Sequence, residues 1–412
     1  MPTIIVIGAG PAGMMASISA AAEGARVKLL EKKPEIGKKL SITGKGRCNL
    51  TNAMAIEDFI AQYPVNGRFL YSSLHQFSNL DLISFFEERG VKTKVERGQR
   101  VFPVSDRAAD VVEALQKCMY QYGVEVIKPC QVKELLLQDG RVSFLKTDCG
   151  VMSADAFIIA TGGLSYPSTG STGDGYRWAA QAGHNIVIPR PGLVPLETAE
   201  TWVSQCQGLS LKNVQATAYN QEGRMINREC GEMLFTHFGV SGPIILTMSS
   251  EIALLLADGK QVRLVIDLKP ALTAEKLDER LQRDFDLYSR KQFKNALDDL
   301  LPRMLIPVVI NLSAIDPHKP THQASRAERL RLVELLKNLT LTITATRPIK
   351  EAIVTRGGVD VSQVDPRSMK SRLVENLFFC GEILDIDGYT GGFNLQAAFS
   401  TGFVAGKAAA RI

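Results

Sequence analysis

The chain has 412 residues, of which 45% are hydrophobic and 22% are charged, and its formal net charge is +5 at pH 7. This length predicts two or three domains with buried cores, and the composition is that of a globular protein rather than a disordered or fibrous one. The mild positive charge permits contact with nucleic acid but does not require it, because solubility explains it equally well.

Seven cysteines lie singly along the chain, and no two of them form a C-x-x-C pair. This scatter argues against a zinc site or a dithiol redox pair and is typical of reduced thiols in a cytosol. Residues 4–22 carry no charge, and a segment of that length could cross a bilayer. Glycines and a proline interrupt it, however, and no positive residue precedes it as in a signal peptide. We therefore expect no metal, no membrane segment and a cytoplasmic location.

The chain opens on an apolar strand that runs directly into a glycine-rich turn and a helix of small residues. Gly8, Gly10 and Gly13 have the spacing G-x-G-x-x-G. The first glycine permits the turn, the second lets backbone approach a diphosphate, and the third lets the helix lie close to the strand. A second strand at 26–30 ends on Glu31, where an acid can accept hydrogen bonds from both ribose hydroxyls. This order predicts dinucleotide binding.

A basic, glycine-rich segment follows at 37–52. Its polar residues are too dense for a core and its glycines are too frequent for a helix. We expect a loop that wraps an anionic or polar ligand with backbone N–H groups and side-chain donors. The alternative is a solvated surface loop.

The next hundred residues alternate between helical and strand patterns. Apolar residues at helical spacing predict helices at 78–89 and 106–122. Strands are expected within 91–104 and at 124–127, 132–137, 142–146 and 154–159, with Asp139-Gly140 as a hairpin turn.

The strand that ends at Ile159 leads into Ala160-Thr161-Gly162-Gly163. Small side chains at the end of such a strand let the chain pass close beside a cofactor. A segment rich in Gly, Ser and Thr then runs to Tyr176 and precedes a helix at 177–182. We interpret this segment as a loop that lines a ligand.

Three prolines at 189–195 indicate a crossing into a second domain. Short strands within 209–268 predict an inserted domain, a small β-barrel or sandwich, made of 190–270 and 338–345. The charged stretch at 271–337 predicts a helical subdomain.

The last part of the chain returns to an α/β pattern. A turn is expected at 355–358, a strand at 376–382 ends in Gly381-Glu382, and Gly391-Gly392 precede a helix at 395–410. A flavin-binding fold closes in this order, with an acid that reaches the ribityl hydroxyls and a helix whose positive N-terminus faces the ring edge that gains charge on reduction. The alternative, a plain C-terminal helix, leaves the two glycines unexplained. We predict an α/β fold in which 1–189 and 346–412 form one Rossmann-like FAD-binding domain.

Six stretches together resemble the bacterial family of NAD(P)/FAD-dependent oxidoreductases. They are the fingerprint at 8–13, I-T-G-K-G-R-C-N-L-T-N at 42–52, A-T-G-G-L-S-Y-P-S-T-G-S-T-G-D-G-Y at 160–176, F-T-H-F-G-V-S-G-P at 235–243, V-T-R-G-G-V at 354–359 and G-E-I-L-D-I-D-G-Y-T-G-G-F-N-L-Q-A-A at 381–398. Members of this family are associated with aminoacetone oxidation, bile-acid double-bond reduction and dihydrouridine synthesis in ribosomal RNA. The resemblance implies a two-part FAD domain with a β-barrel insert and a helical subdomain, and it leaves the substrate open.

The resemblance also implies a set of residues that contact tightly bound FAD. Carried over residue by residue, they are Gly8, Gly10, Pro11, Ala12, Gly13, Glu31, Lys32, Lys39, Thr43, Gly44, Gly46, Arg47, Cys48, Val132, Ala160, Thr161, Gly162, Gly381, Glu382, Gly391, Gly392, Phe393, Asn394 and Leu395. Phe393 stands where the family often has Tyr. Only one dinucleotide fingerprint is present, so NAD(P)H would dock transiently over the flavin, or another donor would be used.

Three residues are candidates for a catalytic acid because each lies in a motif that is expected to border the flavin. They are Cys48, Tyr166 and His237. The alternatives are a small buried thiol for Cys48, a pocket wall for Tyr166 and a backbone-bonding histidine before a turn into a helix for His237.

Three functions are consistent with these patterns, and none of them indicates an oligomeric state. The first is hydride transfer from flavin N5 to a conjugated C=C bond, with a side chain or water protonating the neighbouring carbon. Uracil in ribosomal RNA fits this chemistry, and basic residues could contact phosphates in a salt-dependent way. Those residues are Arg89, Lys92, Lys94, Arg97, Arg100 and Arg107. The second is an oxidase of small amines such as aminoacetone, and the third is a non-catalytic, flavin-bound interaction protein.

Overall fold

The structure is a computed structural model that describes residues 1–412. The chain divides into two units. One unit consists of Met1–Gly192 and Ile349–Ile412, and the other consists of Leu193–Pro348. The predicted α/β architecture with a parallel sheet and a closed barrel is confirmed. None of the helices combines the length and the apolar composition that a bilayer crossing requires.

Strands and helices occur along the whole chain. The strands are β1 (Thr3–Ile7), β2 (Arg26–Leu30), β3 (Thr51–Asn52), β4 (Thr93–Glu96), β5 (Arg100–Pro103), β6 (Glu125–Ile127), β7 (Val132–Gln138), β8 (Arg141–Thr147), β9 (Gly150–Met152), β10 (Ala156–Ile159), β11 (Ile186–Gly192), β12 (Leu196–Thr198), β13 (Ser210–Tyr219), β14 (Met225–Phe235), β15 (Gly239–Ser241), β16 (Val262–Asp267), β17 (Leu339–Thr346), β18 (Val354–Val359) and β19 (Leu377–Phe379). The helices are α1 (Pro11–Ala22), α2 (Lys38–Ile42), α3 (Ile56–Phe59), α4 (Tyr71–Gln76), α5 (Asn79–Glu87), α6 (Ala108–Gln121), α7 (Asp174–Gln181), α8 (Pro243–Ala257), α9 (Ala274–Leu287), α10 (Ile306–Ser313), α11 (Arg326–Lys337) and α12 (Phe393–Ala409).

The first unit is built on a five-stranded sheet with the order β19-β10-β1-β2-β6, in which every pair is parallel. The opening strand β1 lies in its middle, between β10 and β2. All four residues of β10 are buried. Unbroken apolar runs of this kind are expected where both faces of a parallel sheet are covered.

The first and the last long helices of this unit are packed backbone against backbone. A β-carbon at Gly402 would lie 2.3 Å from the carbonyl oxygen of Ala12, and one at Gly406 would lie 2.1 Å from that of Ala16. Ser19 of α1 also donates a hydrogen bond to the carbonyl oxygen of Phe403 (2.7 Å). Glycine is therefore required on α12 because any side chain would push the two helices apart.

Local predictions were confirmed where a short-range rule determines the backbone. Asp139 and Gly140 both have positive φ, 50° and 74°, and they connect β7 to β8 as a hairpin.

The predictions of a loop without a helix at 37–52 and of a turn at 355–358 are wrong. The first segment contains α2, and the second lies inside β18, which pairs with β11.

The second unit contains a closed barrel of six strands, β12-β15-β14-β13-β16-β17. The segment at 271–337, predicted as a helical subdomain, shares one hydrophobic core with this barrel. Leu281 and Leu332 from the helices are buried in the same cluster as Phe235 and Ile266 from the strands. Helices this short bury their apolar stripe against a neighbouring element, and here that element is the barrel.

Candidate functional site

Half of the predicted cofactor residues lie at one edge of the five-stranded sheet. The carboxyl ends of parallel strands meet at the same edge, and ligands of open α/β sheets bind there. The glycine fingerprint follows β1, Glu31 and Lys32 follow β2, Ala160 to Gly162 follow β10, and Gly381 and Glu382 follow β19.

The three fingerprint glycines have different physical reasons to lack a side chain. Gly8 has a φ of +103°, and a β-carbon there would lie 2.6 Å from the carbonyl oxygen of Ala160. At Gly13 a β-carbon would lie 1.9 Å from the carbonyl oxygen of Gly8. At Gly10 nothing lies within 4 Å of that position. The protein's own packing therefore requires the first and third glycines, and the second leaves room for a group that approaches the N-terminus of α1.

Glu31 is held at the tip of β2 by backbone N–H groups. Its Oε2 accepts a hydrogen bond from the N–H of Ala9 (2.9 Å), and its Oε1 accepts one from the N–H of Lys33 (2.8 Å). A carboxylate has about four acceptor positions, so Glu31 can still accept from ribose hydroxyls. The carboxylate is thereby oriented beside the glycine turn.

Glu382 is the centre of a half-buried hydrogen-bonded group that we call the Glu382 cluster, made of Lys39, Ser165, Thr355 and Glu382. Lys39 Nζ lies 2.5 Å from Glu382 Oε2 and 2.6 Å from Ser165 Oγ. Ser165 Oγ and the N–H of Thr355 both donate to Glu382 Oε1, at 3.0 and 2.8 Å. The cluster joins four separate segments of the sequence. Sequence reasoning missed Ser165 and Thr355, although both lie in motifs that it quoted.

Lys32 joins the end of β2 to the loop at 160–176. Its ammonium lies 2.7 Å from Asp174 Oδ2, and it also contacts Thr172. Burial by itself would raise the pKa of Asp174. The pKa is nevertheless lowered, because Lys32 and Thr172 donate hydrogen bonds to the carboxylate. The loop predicted to line a ligand is therefore fixed beside Glu31 by an ion pair.

The N-terminus of α12 is fixed by the segments before it. Gly392 has a φ of +99°, and a β-carbon there would lie 2.4 Å from the carbonyl group of Thr51. The side chain of Asn394 accepts from the N–H of Gly388 (2.8 Å) and donates to its carbonyl oxygen (2.7 Å). Gly391 and Gly392 thus lie against the 42–52 motif, and the loop before the helix is closed by its own asparagine.

These features fit FAD. An acid beside the fingerprint suits the ribose, the open face of Gly10 suits the diphosphate, and the N-terminus of α12 suits the ring edge. Thr161 Oγ1 is buried at the same sheet edge, beside Gly175, and has no hydrogen-bond partner.

Other predicted contacts have partners within the protein. Arg47 donates to Asp106 (2.8 Å from Nε) and to Glu96, and its guanidinium lies over the ring of Phe102. These two carboxylates raise the pKa of Arg47. Thr43 donates to a carbonyl within its own turn, and Val132 is buried at the start of β7. Direct contact of these residues with FAD stays a prediction.

The three candidate acids are in different environments. Cys48 is fully buried, and burial raises the pKa of its thiol to about 12, which favours the alternative of a packed thiol over a proton donor. Tyr166 is half-buried and has a left-handed backbone with φ +51°. His237 is exposed after β14 in the second unit, where its ring lies against Phe238. The catalytic roles of these residues stay predictions.

A pair of buried acids was not predicted by sequence reasoning. Asp385 and Asp387 are 7% and 1% exposed. Asn66 Nδ2 donates to Asp385 Oδ2 (3.0 Å), and Arg356 Nε lies 3.9 Å from Asp387 Oδ1. Burial raises the pKa of both carboxyls. The pKa of Asp387 is about 6, because burial and the nearby Asp385 raise it more than Arg356 lowers it. Both lie in the last motif, but no local pattern indicates that they are buried.

The glycine fingerprint gives a pair of contrasting substitutions. Gly10→Ala adds a methyl group in open space, so we expect an unchanged unfolding temperature. Overpacking costs roughly 1–3 kcal/mol, so FAD affinity should fall about tenfold or more. Gly13→Ala places its methyl group against a carbonyl oxygen and should lower both the unfolding temperature and the FAD affinity. FAD titration of the apoprotein and thermal unfolding measure the two effects. Equal FAD affinity in wild type and Gly10→Ala would contradict the assignment.

The buried Asp387 predicts a pH dependence of stability. Its folded-state pKa of about 6 exceeds the ordinary value of 3.8, so the stabilisation is complete below pH 3.8 and is lost as the pH rises through 6. This loss amounts to about 3 kcal/mol, since one pKa unit corresponds to about 1.4 kcal/mol. Asp387→Asn should therefore be more stable than wild type at pH 7, and the difference should shrink towards pH 4. Urea unfolding of both proteins between pH 4 and 8 measures it.

The control for this experiment is Asp58→Asn, which changes an exposed aspartate of the same unit. It should leave the pH profile of the unfolding free energy unaltered. A constant difference between wild type and Asp387→Asn across the pH range would show that the carboxyl does not titrate as described.

Comparison with known proteins finds relatives over nearly the whole chain. Residues 2–408 match the family described as HI0933-like protein Rossmann domain. The 3-dehydro-bile acid delta(4,6)-reductase of Clostridium scindens is 33% identical over 413 residues, which cover 100% of this chain and 99% of that protein. The ribosomal RNA dihydrouridine synthase of Haemophilus influenzae is 31% identical over 411 residues, covering 97% and 96%.

A solved structure extends the comparison to the fold. The 3-ketosteroid delta1-dehydrogenase from Sterolibacterium denitrificans matches with a TM-score of 0.53 and 12% identity, and the match covers 100% of both chains. At this identity the likeness shows a shared fold alone. The family match and the two relatives span nearly the whole chain. The chain therefore belongs to the HI0933-like Rossmann flavoprotein family, and it is a flavin-dependent oxidoreductase, as the sequence predicted.

Proposed function

We propose that the protein reduces a conjugated C=C bond and that its substrate is a uracil base of ribosomal RNA. The observation that carries the proposal is the pair of full-length relatives. A delta(4,6)-reductase and a dihydrouridine synthase both saturate a ring double bond, although their substrates differ. Reduction of a ring double bond is the general part of the proposal, because both relatives' names include it. The uracil base of ribosomal RNA is the specific part.

Exposed cations support the RNA substrate over a small enone. Of the six basic residues considered from the sequence, Lys94 is paired with Asp106 (2.7 Å), and Arg89 packs over the ring of Phe85. Lys92, Arg97 and Arg107 remain exposed around β4 and β5. Lysine and arginine side chains at a surface can contact phosphates, and such contacts make the affinity dependent on salt.

The residues of the site have separate tasks in this reaction. Bound FAD would supply the hydride, from N5 of its ring. Glu31 and the N-terminus of α1 would hold the adenosine and diphosphate part. Lys39 and Ser165 would keep the carboxylate of Glu382 directed at the cofactor. The N-terminus of α12 would stabilise negative charge on the reduced ring. NAD(P)H is the proposed electron donor.

Tyr166 is our choice among the three candidate acids. Tyr166 and Cys48 both have positive φ, which costs a non-glycine residue roughly 1–3 kcal/mol and is concentrated at functional sites. Cys48 is fully buried and burial raises the pKa of its thiol to about 12, whereas Tyr166 is half-buried, so we prefer Tyr166 as the proton donor. We expect Tyr166→Phe to slow turnover about a hundredfold, within the range by which a positioned acid accelerates a reaction. Its FAD content should not change, since the ring is kept. Stopped-flow reoxidation of the reduced enzyme by substrate measures this step. Unchanged reoxidation would remove Tyr166 from the mechanism.

The RNA substrate is tested by gene deletion. We expect one dihydrouridine to disappear from ribosomal RNA and to return when the wild-type gene is supplied. The variant Lys92→Ala/Arg97→Ala/Arg107→Ala should restore it poorly, and its rate on RNA should depend less on salt, by about one unit of slope for each phosphate interaction that is removed. Its turnover of a small steroid enone should equal that of wild type.

The matched control is Lys117→Ala, which removes an exposed cation from α6 of the same unit. It should restore the modification fully. An unchanged dihydrouridine profile after deletion would overturn the RNA substrate. If the purified enzyme still reduced an enone, the C=C reductase part of the proposal would stand.

A further inference from the structure

Two cysteines that are distant in sequence face each other at one end of the β7–β8 hairpin. Val132 of β7 pairs with Thr147 of β8. One position further, the N–H of Asp148 donates to the carbonyl oxygen of Gln131 (3.1 Å), so the antiparallel register continues beyond the strand. The next pair in this register is Cys130 and Cys149. Directly opposed residues of antiparallel strands have neighbouring side chains.

The side chains of this pair are directed at each other and at a carboxylate. Asp148 Oδ1 accepts from the N–H of Gln131 (2.7 Å), which fixes the carboxylate beside the ladder. The Cys149 sulfur lies 3.5 Å from both Asp148 Oδ1 and the carbonyl oxygen of Pro129, and its single proton can be donated to one of them. The two sulfur atoms and the Asp148 carboxylate all lie within 4.8 Å of one another. Cys130 is buried, whereas Asp148 and Cys149 are exposed, so an ion can reach the group from solvent.

Two thiolates and a carboxylate form a ligand set for a thiophilic divalent cation. Zn²⁺ binds cysteine sulfur at about 2.3 Å and carboxylate oxygen at about 2.1 Å in a tetrahedral arrangement, so its ligands lie about 3.5–3.8 Å apart. The donor atoms lie within 4.8 Å of one another, so they would have to approach by roughly 1 Å to reach the spacing of zinc ligands. The fourth position would be taken by water, as is usual in sites with three protein ligands.

We propose that Cys130, Asp148 and Cys149 form a Zn²⁺ site whose fourth position is open to water. The same sulfur atoms could form a disulfide, which would use the two thiols alone. A cation would also be bound by the Asp148 carboxylate, which the N–H of Gln131 already orients. The sequence pattern did not indicate this site because its ligands do not have zinc-finger spacing. They meet only because the hairpin folds back on itself.

The position of the site connects it to the cofactor-binding edge of the sheet. The N–H of Cys130 donates to the carbonyl oxygen of Glu31 (2.7 Å), and the N–H of Glu31 donates to the carbonyl oxygen of Ile127 (3.1 Å). A cation at Cys130 would therefore tie the β8–β9 turn to the segment that carries Glu31. We infer that the metal stabilises this segment and takes no part in the redox step.

The test uses the FAD-loaded protein after removal of metal with a chelator. Titration with Zn²⁺ alone should show a single equivalent bound and a raised unfolding temperature, because an ion that binds the folded state stabilises it. Titration with Co²⁺ should give the ligand-field bands of a tetrahedral thiolate site, at longer wavelengths than flavin absorption. Cys149→Ser and Asp148→Asn should weaken Zn²⁺ binding about tenfold or more, while the FAD content stays constant.

The control is Cys230→Ser, which removes an exposed cysteine of the second unit and should bind Zn²⁺ like wild type. Equal Zn²⁺ binding by wild type and Cys149→Ser would overturn the proposal. So would a Cys130–Cys149 disulfide that peptide mass mapping finds in the purified protein and that Zn²⁺ does not prevent. Asp148→Asn keeps both thiols and an oxygen acceptor for Gln131, so it remains informative if Cys149→Ser fails to fold.

Discussion

Backbone contact between the first and the last helix is the constraint on which the flavin unit depends. Gly402 and Gly406 of α12 lie one turn apart and contact the carbonyl groups of Ala12 and Ala16. Small residues on both helices allow this approach. The N-terminus of α1 carries the dinucleotide fingerprint, and that of α12 carries Gly391 and Gly392. One packing contact therefore determines the arrangement of the two helix N-termini that fit the cofactor.

The Glu382 cluster shows how charge organises the loops around this pair of helices. A carboxylate at the tip of a strand would be expensive to bury alone, but here it accepts from Lys39, Ser165 and the backbone of Thr355. The same carboxylate was expected to reach the ribityl hydroxyls. Its present partners hold it in place, in the way that preorganised sites orient a charged group before the ligand arrives. Glu31 is held in a similar way by backbone N–H groups.

The proposed Zn²⁺ site has a comparable role at the other side of Glu31. Its ligands lie just before β7 and in the β8–β9 turn of a small three-stranded sheet outside the five-stranded parallel sheet. The hydrogen bond from Cys130 to the backbone of Glu31 connects the two. Glu31, the acid that would bind ribose, is therefore held at two points. Its side chain accepts from the N–H of Ala9 in the glycine turn, and its main-chain carbonyl accepts from the N–H of Cys130 next to the hairpin. Both supports would reduce the motion of a group whose position determines cofactor binding.

Features governed by short-range rules could be predicted from the amino-acid order alone. Gly8, Gly10, Gly13 and Glu31 were found from spacing, and the Asp139-Gly140 turn was found from the backbone preference for positive φ. The α/β fold class and the family could also be predicted, because the apolar periodicity and the order of the motifs are visible in the sequence. In each case the physical cause acts over a few residues.

Contacts between side chains that are distant in the sequence became visible only in the folded protein. Lys39 and Glu382 are 343 positions apart, and no spacing rule links them. The burial of Asp387 and the meeting of Cys130 with Cys149 also depend on how separate segments pack. The wrong prediction at 355–358 has the same origin, since pairing with β11 overrides the turn preference of two glycines. Local propensity is a small energy per residue, and long-range pairing and burial outweigh it.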